Sequence, residues 1–485
     1  MAPSRRPAPP LRLAAARLAP LVAGLGLVAA CGSSGPAAGG PGAASAPAAA
    51  PASAPASIAS AALADPARAG SIDWLTYHHD NSRSGLDPAS PPLGRPHRAW
   101  ASAPVHGQIY AEPLIAGDRV IVATEENWVY ALSRRNGRVL WHRHVAPPVS
   151  ARALPCGDID PSGITGTPVI DAAAGRVYVV AFTAGGHRHE LVALSLRSGA
   201  IRLRRTVDAP GADPLVHQER GALALNHGRV IIPYGGLFGD CGDYHGRVVS
   251  VTTTRGAGLR SYRVPAGREA GIWAPSGPAV DPAGDVFVAT GNGSSTSQPD
   301  HGNSVIRLSP DLGERGYFTT SGTVAESASD ADLGSVGPSL LAGGRAFVAG
   351  KTGMGYLLDT TNLGGVGGQR GSTRVCGGAY GGLAVDAGLI YVPCTDGVHA
   401  VRVSGDRPAV AWTGPGFDAG PPIIAGGAVW TVDLDAGRLV ALDRASGRQR
   451  FAAGIGRPNH FASVAASAGL VIAPGGNRVT AFSIR

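Results

Sequence analysis

A short phrase that recurs along most of the chain constrains its fold more than any other feature. Copies begin at Ala131, Ala193 and Ala441, where they read ALSRRNGRVLW, ALSLRSGAIRL and ALDRASGRQRF. In each copy an apolar pair ends one strand, Asn-Gly or Ser-Gly supplies a positive-φ turn, and a bulky residue follows four positions after the glycine. Such a repeat predicts several similar sheets stacked against one another.

The apolar residue that anchors the phrase locates eight copies along the chain. The anchors are Leu132, Leu194, Val251, Leu308, Leu358, Val401, Leu442 and Phe482. Their spacing falls from roughly 60 residues to roughly 40, as expected when early blades carry loop insertions and late blades approach a bare four-stranded sheet. Runs rich in β-branched residues, such as 119–123 and 389–393, precede the anchors and predict further strands.

The two ends of the sequence predict how the sheets close into a ring. Only three residues follow the last anchor, Phe482, so its sheet has no room for an outer strand. An unpaired strand around Trp100 precedes the first complete copy, at the spacing before Leu132 that Phe451 has before Phe482. We expect this N-terminal strand to complete the last sheet and to remove its free edge.

The repeated phrase resembles the tryptophan-docking repeat of the quinoprotein propellers. That family includes pyrroloquinoline-quinone (PQQ) dehydrogenases and the propeller lipoprotein of outer-membrane assembly. Residues 73–85 are similar to the lead-in that many members carry before their first blade. The resemblance implies an all-β, eight-bladed β-propeller of four-stranded antiparallel blades over residues 72–485, and it is weak for activity because the family contains enzymes and silent scaffolds.

The N-terminal region predicts export and a lipid anchor. Four arginines precede an apolar run in residues 1–30, and Val28-Ala-Ala-Cys31 has the pattern of a lipobox. We expect Cys31 to be acylated, which would place the protein outside the cytoplasm on the cell membrane. The alternative is an ordinary signal peptide with an incidental cysteine. Residues 31–71, mostly Ala, Pro, Gly and Ser, cannot bury a core and predict a flexible tether.

Charge argues against a nucleic-acid partner. The formal net charge is +8, and four of those charges are the signal-peptide arginines, so the processed chain would carry only about +4. No run of basic residues remains outside that region. We therefore expect a modestly basic, monomeric secreted domain.

The cysteines predict two disulfides. Apart from Cys31 the chain has four cysteines, an even number in an oxidising compartment. Three pairings are possible, and position in the blades favours Cys156 with Cys241 and Cys376 with Cys394. None of the four forms a Cys-x-x-Cys pair, which argues against redox and zinc roles.

Residues that precede the innermost strand of each blade are the candidate ligand-binding residues, because these strands begin at one face and converge on a central funnel. They mix acids, aromatic residues, one arginine and one histidine, a set that could hold a polar, planar ligand. The alternative is that they only hydrate or plug the channel. The residues are Tyr110, Glu112, Thr165, Thr167, Glu219, Arg220, Trp273, Ser276, Asp332, Tyr380, Asp418 and His460.

Three further segments are candidates for binding. Asp158, Asp160 and Ser162 have the spacing that opens a calcium loop, although no closing glutamate follows, and a simple turn is the alternative. Residues 78–80, His-His-Asp, could bind a metal, but packing of the lead-in against the ring is favoured. The polar loop 291–303 is longer than a blade needs and is a candidate binding loop.

Two classes of function remain, and we favour the first. It is a non-catalytic, lipid-anchored binding or scaffold protein at the cell envelope, with a protein or glycan partner and no cofactor. The alternative is a dehydrogenase that oxidises an alcohol or sugar with PQQ and Ca²⁺. The chain lacks the vicinal cysteine pair that the family resemblance would imply for many such enzymes. A second alternative is a carbohydrate-binding module built on Trp273, Tyr380 and Tyr110.

Overall fold

The computed structural model describes residues 73–254, 256 and 258–485, which contain eight sheets. The predicted signal peptide (1–30), Cys31 and the whole predicted tether (31–71) lie outside the described residues. Two short strands precede the first blade, β1 (Leu86–Asp87) and β2 (His97–Ala101). Blade 1 then consists of β3 (Leu114–Ala116), β4 (Arg119–Ala123), β5 (Trp128–Ser133) and β6 (Val139–His144).

The next three blades follow in chain order. Blade 2 consists of β7 (Val169–Asp171), β8 (Arg176–Thr183), β9 (Arg188–Ser195) and β10 (Ile201–Thr206). Blade 3 consists of β11 (His217–Gln218), β12 (Ala224–Asn226), β13 (Arg229–Gly236), β14 (Arg247–Thr252) and β15 (Leu259–Arg263). Blade 4 consists of β16 (Ala279–Val280), β17 (Val286–Ala289), β18 (Ser304–Leu308) and β19 (Glu314–Thr319).

The remaining blades complete the ring. Blade 5 consists of β20 (Ser339–Leu341), β21 (Arg345–Ala349), β22 (Met354–Asp359) and, after β23 (Gly365–Val366), which pairs with β19 of blade 4, β24 (Gly371–Arg374). Blade 6 consists of β25 (Ala384–Asp386), β26 (Leu389–Cys394), β27 (Gly397–Ser404) and β28 (Arg407–Thr413). Blade 7 consists of β29 (Ile423–Ala425), β30 (Ala428–Asp433), β31 (Arg438–Asp443) and β32 (Gln449–Gly454). Blade 8 contributes β33 (Ala465–Ser467), β34 (Leu470–Gly475) and β35 (Arg478–Ser483).

The predicted all-β, eight-bladed propeller is confirmed. Each predicted anchor lies in the strand that precedes the outer strand of its blade, where both faces of the sheet pack against neighbouring blades. Outer strands face solvent instead, and in β6 only Trp141 is buried. Helix is confined, in the described part of the chain, to α1 (Thr323–Ala328) and to 3₁₀ turns at 151–153 and 333–335. No helix in that part is long and apolar enough to cross a membrane.

Ring closure follows the prediction. Strand β2 pairs antiparallel with β35, placing Arg98 opposite Phe482 and Trp100 opposite Ala481. The N-terminal strand thus becomes the fourth strand of blade 8, and the order of that sheet is β2-β35-β34-β33. This pairing with β2 satisfies the backbone hydrogen-bonding groups that β35 would otherwise expose at the edge of the sheet.

Residues 73–85, called here the floor segment, run beneath the inner strands from blade to blade. Backbone N–H groups of Ile170, Val280, Leu340 and Val385 donate to floor-segment carbonyls at 2.8 to 2.9 Å, and these four donors belong to blades 2, 4, 5 and 6. The side chains of Trp74, Tyr77, His78 and Arg83 are buried. The favoured prediction that the lead-in packs against the ring is therefore confirmed for His78, whose Nδ1 lies 2.8 Å from the Leu383 carbonyl.

Both predicted disulfides are present. Cys156 pairs with Cys241, joining the loop that precedes blade 2 to a loop inside blade 3. Cys376 pairs with Cys394 at the start of blade 6. Each bond staples a segment at the face where the inner strands begin, so the loops around the funnel are restrained.

Candidate functional site

Phe461 lies across the centre of the funnel, at the face where the inner strands begin. Its ring stacks on Tyr380 with centroids 5.9 Å apart and lies 6.3 Å from the ring of Trp273. The guanidinium of Arg220 is 4.7 Å from the centroid of the Phe461 ring, a cation–π distance. Blades 3, 4, 6 and 8 thus meet through one aromatic side chain. Phe461 adopts a φ of 58°, which costs energy for a residue with a side chain.

Three of the predicted candidates, Arg220, Trp273 and Tyr380, are therefore brought together around Phe461, which the sequence analysis missed. The residue directly before it, His460, was predicted, but its side chain is mostly exposed and lies 3.8 Å from Asp158. No signal in the sequence shows that the Phe461 ring lies at the axis while the neighbouring His460 ring is mostly exposed. That choice depends on the backbone of the loop.

A charged group faces Trp273 from blade 5. Lys351 Nζ lies 5.6 Å from the centroid of the Trp273 ring, pairs with Asp332, and is 2.8 Å from Asp330 Oδ1. Burial opposes the charge of Lys351, but the two aspartates outweigh it and raise its pKa. Asp332 also accepts the N–H of Asn292 at 2.7 Å. Lys351 is the only lysine of the chain, a signal that could have identified it.

A cavity of about 1230 Å³ opens beside this aromatic centre, next to blades 6, 7 and 8. Its walls combine aromatic rings with carboxylate, amide and imidazole groups. Asp418 and Asp435 lie on one wall, and burial followed by the charge of Asp435 raises the pKa of Asp418. The principal lining residues are Tyr110, Tyr380, Asp418, Asp435, Asn459 and His460.

Two buried glutamates lie on the other side of the funnel. Glu125 Oε2 accepts the N–H of Gly163 at 2.7 Å and the hydroxyl of Thr165 at 3.1 Å, while burial raises its pKa to about 7. Glu219 is only 4% exposed, and its carboxylate lies against the backbone of Gly166. Burial and then the charge of Glu125 raise the pKa of Glu219, which favours its neutral form. Glu125 lies in the hairpin turn of blade 1 and was not predicted.

Three predicted funnel residues lie in the floor of the ring, where bonds within the protein occupy them. Glu112 accepts hydrogen bonds from the Trp74 indole at 2.6 Å, the His78 amide at 2.9 Å and the Ser463 hydroxyl at 2.5 Å. The Thr167 hydroxyl accepts the Glu112 amide at 2.9 Å.

Ser276 is the third of these residues. Its hydroxyl donates to the Gly381 carbonyl at 3.0 Å and accepts the Gly337 amide at 3.0 Å, so it links blades 4, 5 and 6. These residues were predicted because each precedes the inner strand of its blade. Residues in that position lie on the floor of the funnel as well as at its mouth.

The segment predicted to bind a cation, residues 158–162, makes hydrogen bonds with neighbouring residues of the chain. Asp160 Oδ1 accepts the amide of Ala151 at 2.9 Å, and Ser162 pairs through its backbone with Val149. Asp158 points toward His460. Across the described ranges, the acids of this turn belong to no group of three His, Cys, Asp or Glu side chains close enough to share a metal ion.

The predicted binding loop, residues 291–303, packs on its own blade. Asn303 Nδ2 donates to the Ser327 hydroxyl at 3.1 Å, and Asn303 Oδ1 accepts the Leu333 amide at 2.9 Å. Only the start of the loop reaches the funnel. An added Cβ at Gly291 would lie 2.2 Å from Asp332 Oδ1 and 2.8 Å from Trp273 Nε1, so a glycine is required between them.

The comparison with protein families agrees with this architecture. Residues 98–233 match the family model of the outer membrane protein assembly factor BamB. This PQQ-like, BamB-type match spans β2, blades 1 and 2, and the start of blade 3, so the predicted resemblance is confirmed for that part of the ring. No curated protein matches the chain.

Solved structures extend the likeness to most of the ring. The quinohemoprotein alcohol dehydrogenase of Pseudomonas putida HK5 has a TM-score of 0.68 at 16% identity, over 87% of this chain and 82% of that chain. The corresponding enzyme of Comamonas testosteroni gives 0.65 at 16%, over 86% and 81%. BamB of Moraxella catarrhalis gives 0.54 at 15%, over 80% and 98%. At these identities the likeness establishes the fold.

The arrangement in the funnel does not fit a quinone cofactor stacked on Trp273. Arg220 and Lys351 would suit the charge of an anionic ring system. However, Phe461 lies beside Trp273 and against Tyr380, in the space that a flat, fused ring would need. We therefore derive no reaction step through such a cofactor.

Proposed function

We propose that this BamB-like propeller is a lipid-anchored, extracytoplasmic binding protein that holds a glycan of the cell envelope in the cavity beside Phe461, without catalysis. The observation that carries the proposal is the composition of that cavity. Tyr110, Tyr380 and Phe461 offer ring faces, and Asp418, Asp435 and Asn459 offer hydrogen-bonding groups around a volume of about 1230 Å³. Aromatic faces stack on the apolar faces of sugar rings while carboxylates and amides bind their hydroxyls.

The proposed anchor agrees with this role. Acylation of Cys31 would hold the protein at the membrane, and the Ala, Pro, Gly and Ser residues that follow would let the ring stand away from the surface. The Cys376–Cys394 disulfide adjoins the segment of Tyr380 and Thr395 in the cavity wall, and restraint of that segment would lower the entropic cost of binding.

The test is binding of purified residues 73–485 to soluble fragments of envelope glycans by calorimetry. We expect Tyr380→Ala to weaken binding by roughly two- to tenfold, because loss of one stacked ring costs about 0.5–1.5 kcal/mol. Tyr317→Ala, which removes a half-buried ring from outer strand β19, is the matched control and should bind normally. Absence of binding to every fragment tested would refute the glycan proposal.

A second candidate, a PQQ-dependent dehydrogenase, is supported by the grouping of Trp273, Lys351 and Asp332 and by the dehydrogenase folds among the structural relatives. It requires Phe461 to leave its present position. The test is addition of PQQ and Ca²⁺, with visible absorbance and dye reduction recorded over alcohols and sugars. Stoichiometric binding with turnover would replace our first choice.

A further inference from the structure

Blade 3 carries a cationic cluster that the funnel does not use. Arg247 on β14 and Arg263 on β15 are directly opposite in the antiparallel register, so their side chains share one face of the sheet. Arg263 Nη2 lies 2.8 Å from His245 Nε2, and the His245 amide is 3.4 Å from His217 Nε2. We call these four residues, Arg247, Arg263, His245 and His217, the blade 3 cluster.

The two guanidinium groups of the cluster have no matching negative charge. Neither Arg247 nor Arg263 has a carboxylate within 4.0 Å among the described residues. Like charges opposite each other on neighbouring strands destabilise a sheet. Arg247 is only 8% exposed and its Nε has no hydrogen-bond partner in the described part of the chain. A buried donor without a partner costs about 1–3 kcal/mol, so the protein alone does not satisfy this arginine.

The acids nearby do not compensate the cluster. Asp243 lies 3.6 Å from His245 and its charge acts to raise the pKa of Arg247, but its side chain is 83% exposed, so solvent screens it, and one carboxylate does not offset two guanidinium groups. Asp208 is engaged by His189 at 2.7 Å, and Glu269 pairs with Arg268 at 3.0 Å. The net charge of the cluster therefore remains positive.

The histidines add neutral polar atoms to the two charges. Burial, followed by the charge of Arg263, lowers the pKa of His245, and burial also lowers the pKa of His217. Both histidines are buried. Arg263 itself is exposed, so the cluster is open to solvent on the side of β15.

We propose that the blade 3 cluster binds a phosphate group, either the free ion or a monoester on a larger ligand. The planar fork of each guanidinium matches two oxygens of a phosphate, and two opposed arginines match its double charge. The ligand would remove the repulsion between Arg247 and Arg263. This site is independent of the cavity beside Phe461.

The experiment uses purified residues 73–485 in chloride buffer of constant ionic strength, with inorganic phosphate added and binding measured by calorimetry and melting temperature. Arg263→Gln removes the exposed arginine, so folding is retained. Arg260→Gln is the matched control, because Arg260 lies on the same strand but is placed opposite Ser250. We expect R263Q to weaken phosphate binding at least tenfold and R260Q to leave it unchanged.

A second readout separates a binding role from a structural one. Without phosphate, R263Q should melt at or above the wild-type temperature, because it removes a like-charge contact. Glycerol phosphate is then titrated in place of inorganic phosphate. Tighter binding of glycerol phosphate would indicate that the natural ligand is a monoester, and tighter binding of inorganic phosphate would indicate the free ion. No phosphate binding by the wild type, equal binding by R263Q, or a lower melting temperature of R263Q without phosphate would overturn the proposal.

Discussion

At the scale of single residues, the repeat works through contacts between tryptophan and glycine in adjacent blades. The Trp141 indole of blade 1 donates to the Leu196 carbonyl of blade 2 at 3.0 Å and lies flat against the turn at Gly199. A Cβ at Gly199 would lie 2.5 Å from the Trp141 ring. The same contact recurs where Trp412 meets Gly447. Glycine is therefore needed for its positive φ and for its missing side chain.

Gly199→Ala should destabilise the protein by about 2–4 kcal/mol, because it adds left-handed backbone strain to a steric overlap with Trp141. Gly175→Ala is the control. Gly175 has nearly the same φ, 62° against 66°, and an added Cβ there would meet no atom within 4 Å. Urea unfolding should give the larger loss for G199A. Equal losses would show that the tryptophan contact contributes nothing.

At the scale of elements, strand β2 and the floor segment hold the ring from two sides. Strand β2 closes blade 8, and its Trp100 indole donates to the Arg134 carbonyl of blade 1 at 2.9 Å. The floor segment accepts backbone hydrogen bonds from several inner strands. Both elements lie N-terminal to blade 1, so the residues before the repeats are as much part of the propeller as the repeats.

Trp100→Ala should cost about 3–5 kcal/mol and loosen the seam between blades 8 and 1. We expect faster hydrogen exchange at the amides of β35, whose partner strand would fray. Trp412→Ala removes the equivalent contact between blades 6 and 7, inside the continuous chain, and should leave β35 protected. If both variants expose β35 alike, the closing strand has no special role.

At the scale of the whole molecule, an ionisable group at the axis links the floor segment to blades 1 and 8. Glu112 binds Trp74 and His78 of the floor segment and Ser463 of blade 8. Burial raises the pKa of Glu112 to about 8 from a usual value near 4.5, although these donors oppose the shift. The folded protein thus favours the neutral acid. The stability it contributes is complete below about pH 4.5 and is lost as the pH rises through 8.

Glu112→Gln should therefore gain stability relative to wild type as the pH rises from 5 to 8.5, since the amide stays neutral throughout. Tryptophan fluorescence during urea unfolding at these two values measures the difference. Glu126→Gln, at a half-buried acid near the mouth of blade 1, is the control and should show no such gain. A constant difference between E112Q and wild type at both values would contradict the assignment. Burial of His78 lowers its pKa to about 3 from a usual value near 6.5, so the stability it contributes is complete above about pH 6.5 and is lost as the pH falls toward 3. Because wild type and E112Q share His78, its effect cancels in the difference between them.

The sequence by itself determined the number of blades and the closing strand, because each depends on local turn chemistry, strand periodicity or chain order, and it favoured the disulfide pairs without excluding the other pairings. The anchors from Leu132 to Phe482 could be counted without knowing how the blades pack. Only the tertiary structure decided what fills the axis. Glu112, a predicted funnel residue, lies in the floor, and Phe461, next to the predicted His460, lies across the mouth. The reason is physical: the funnel is assembled from loops of separate blades, and the direction of each side chain depends on contacts with residues hundreds of positions away.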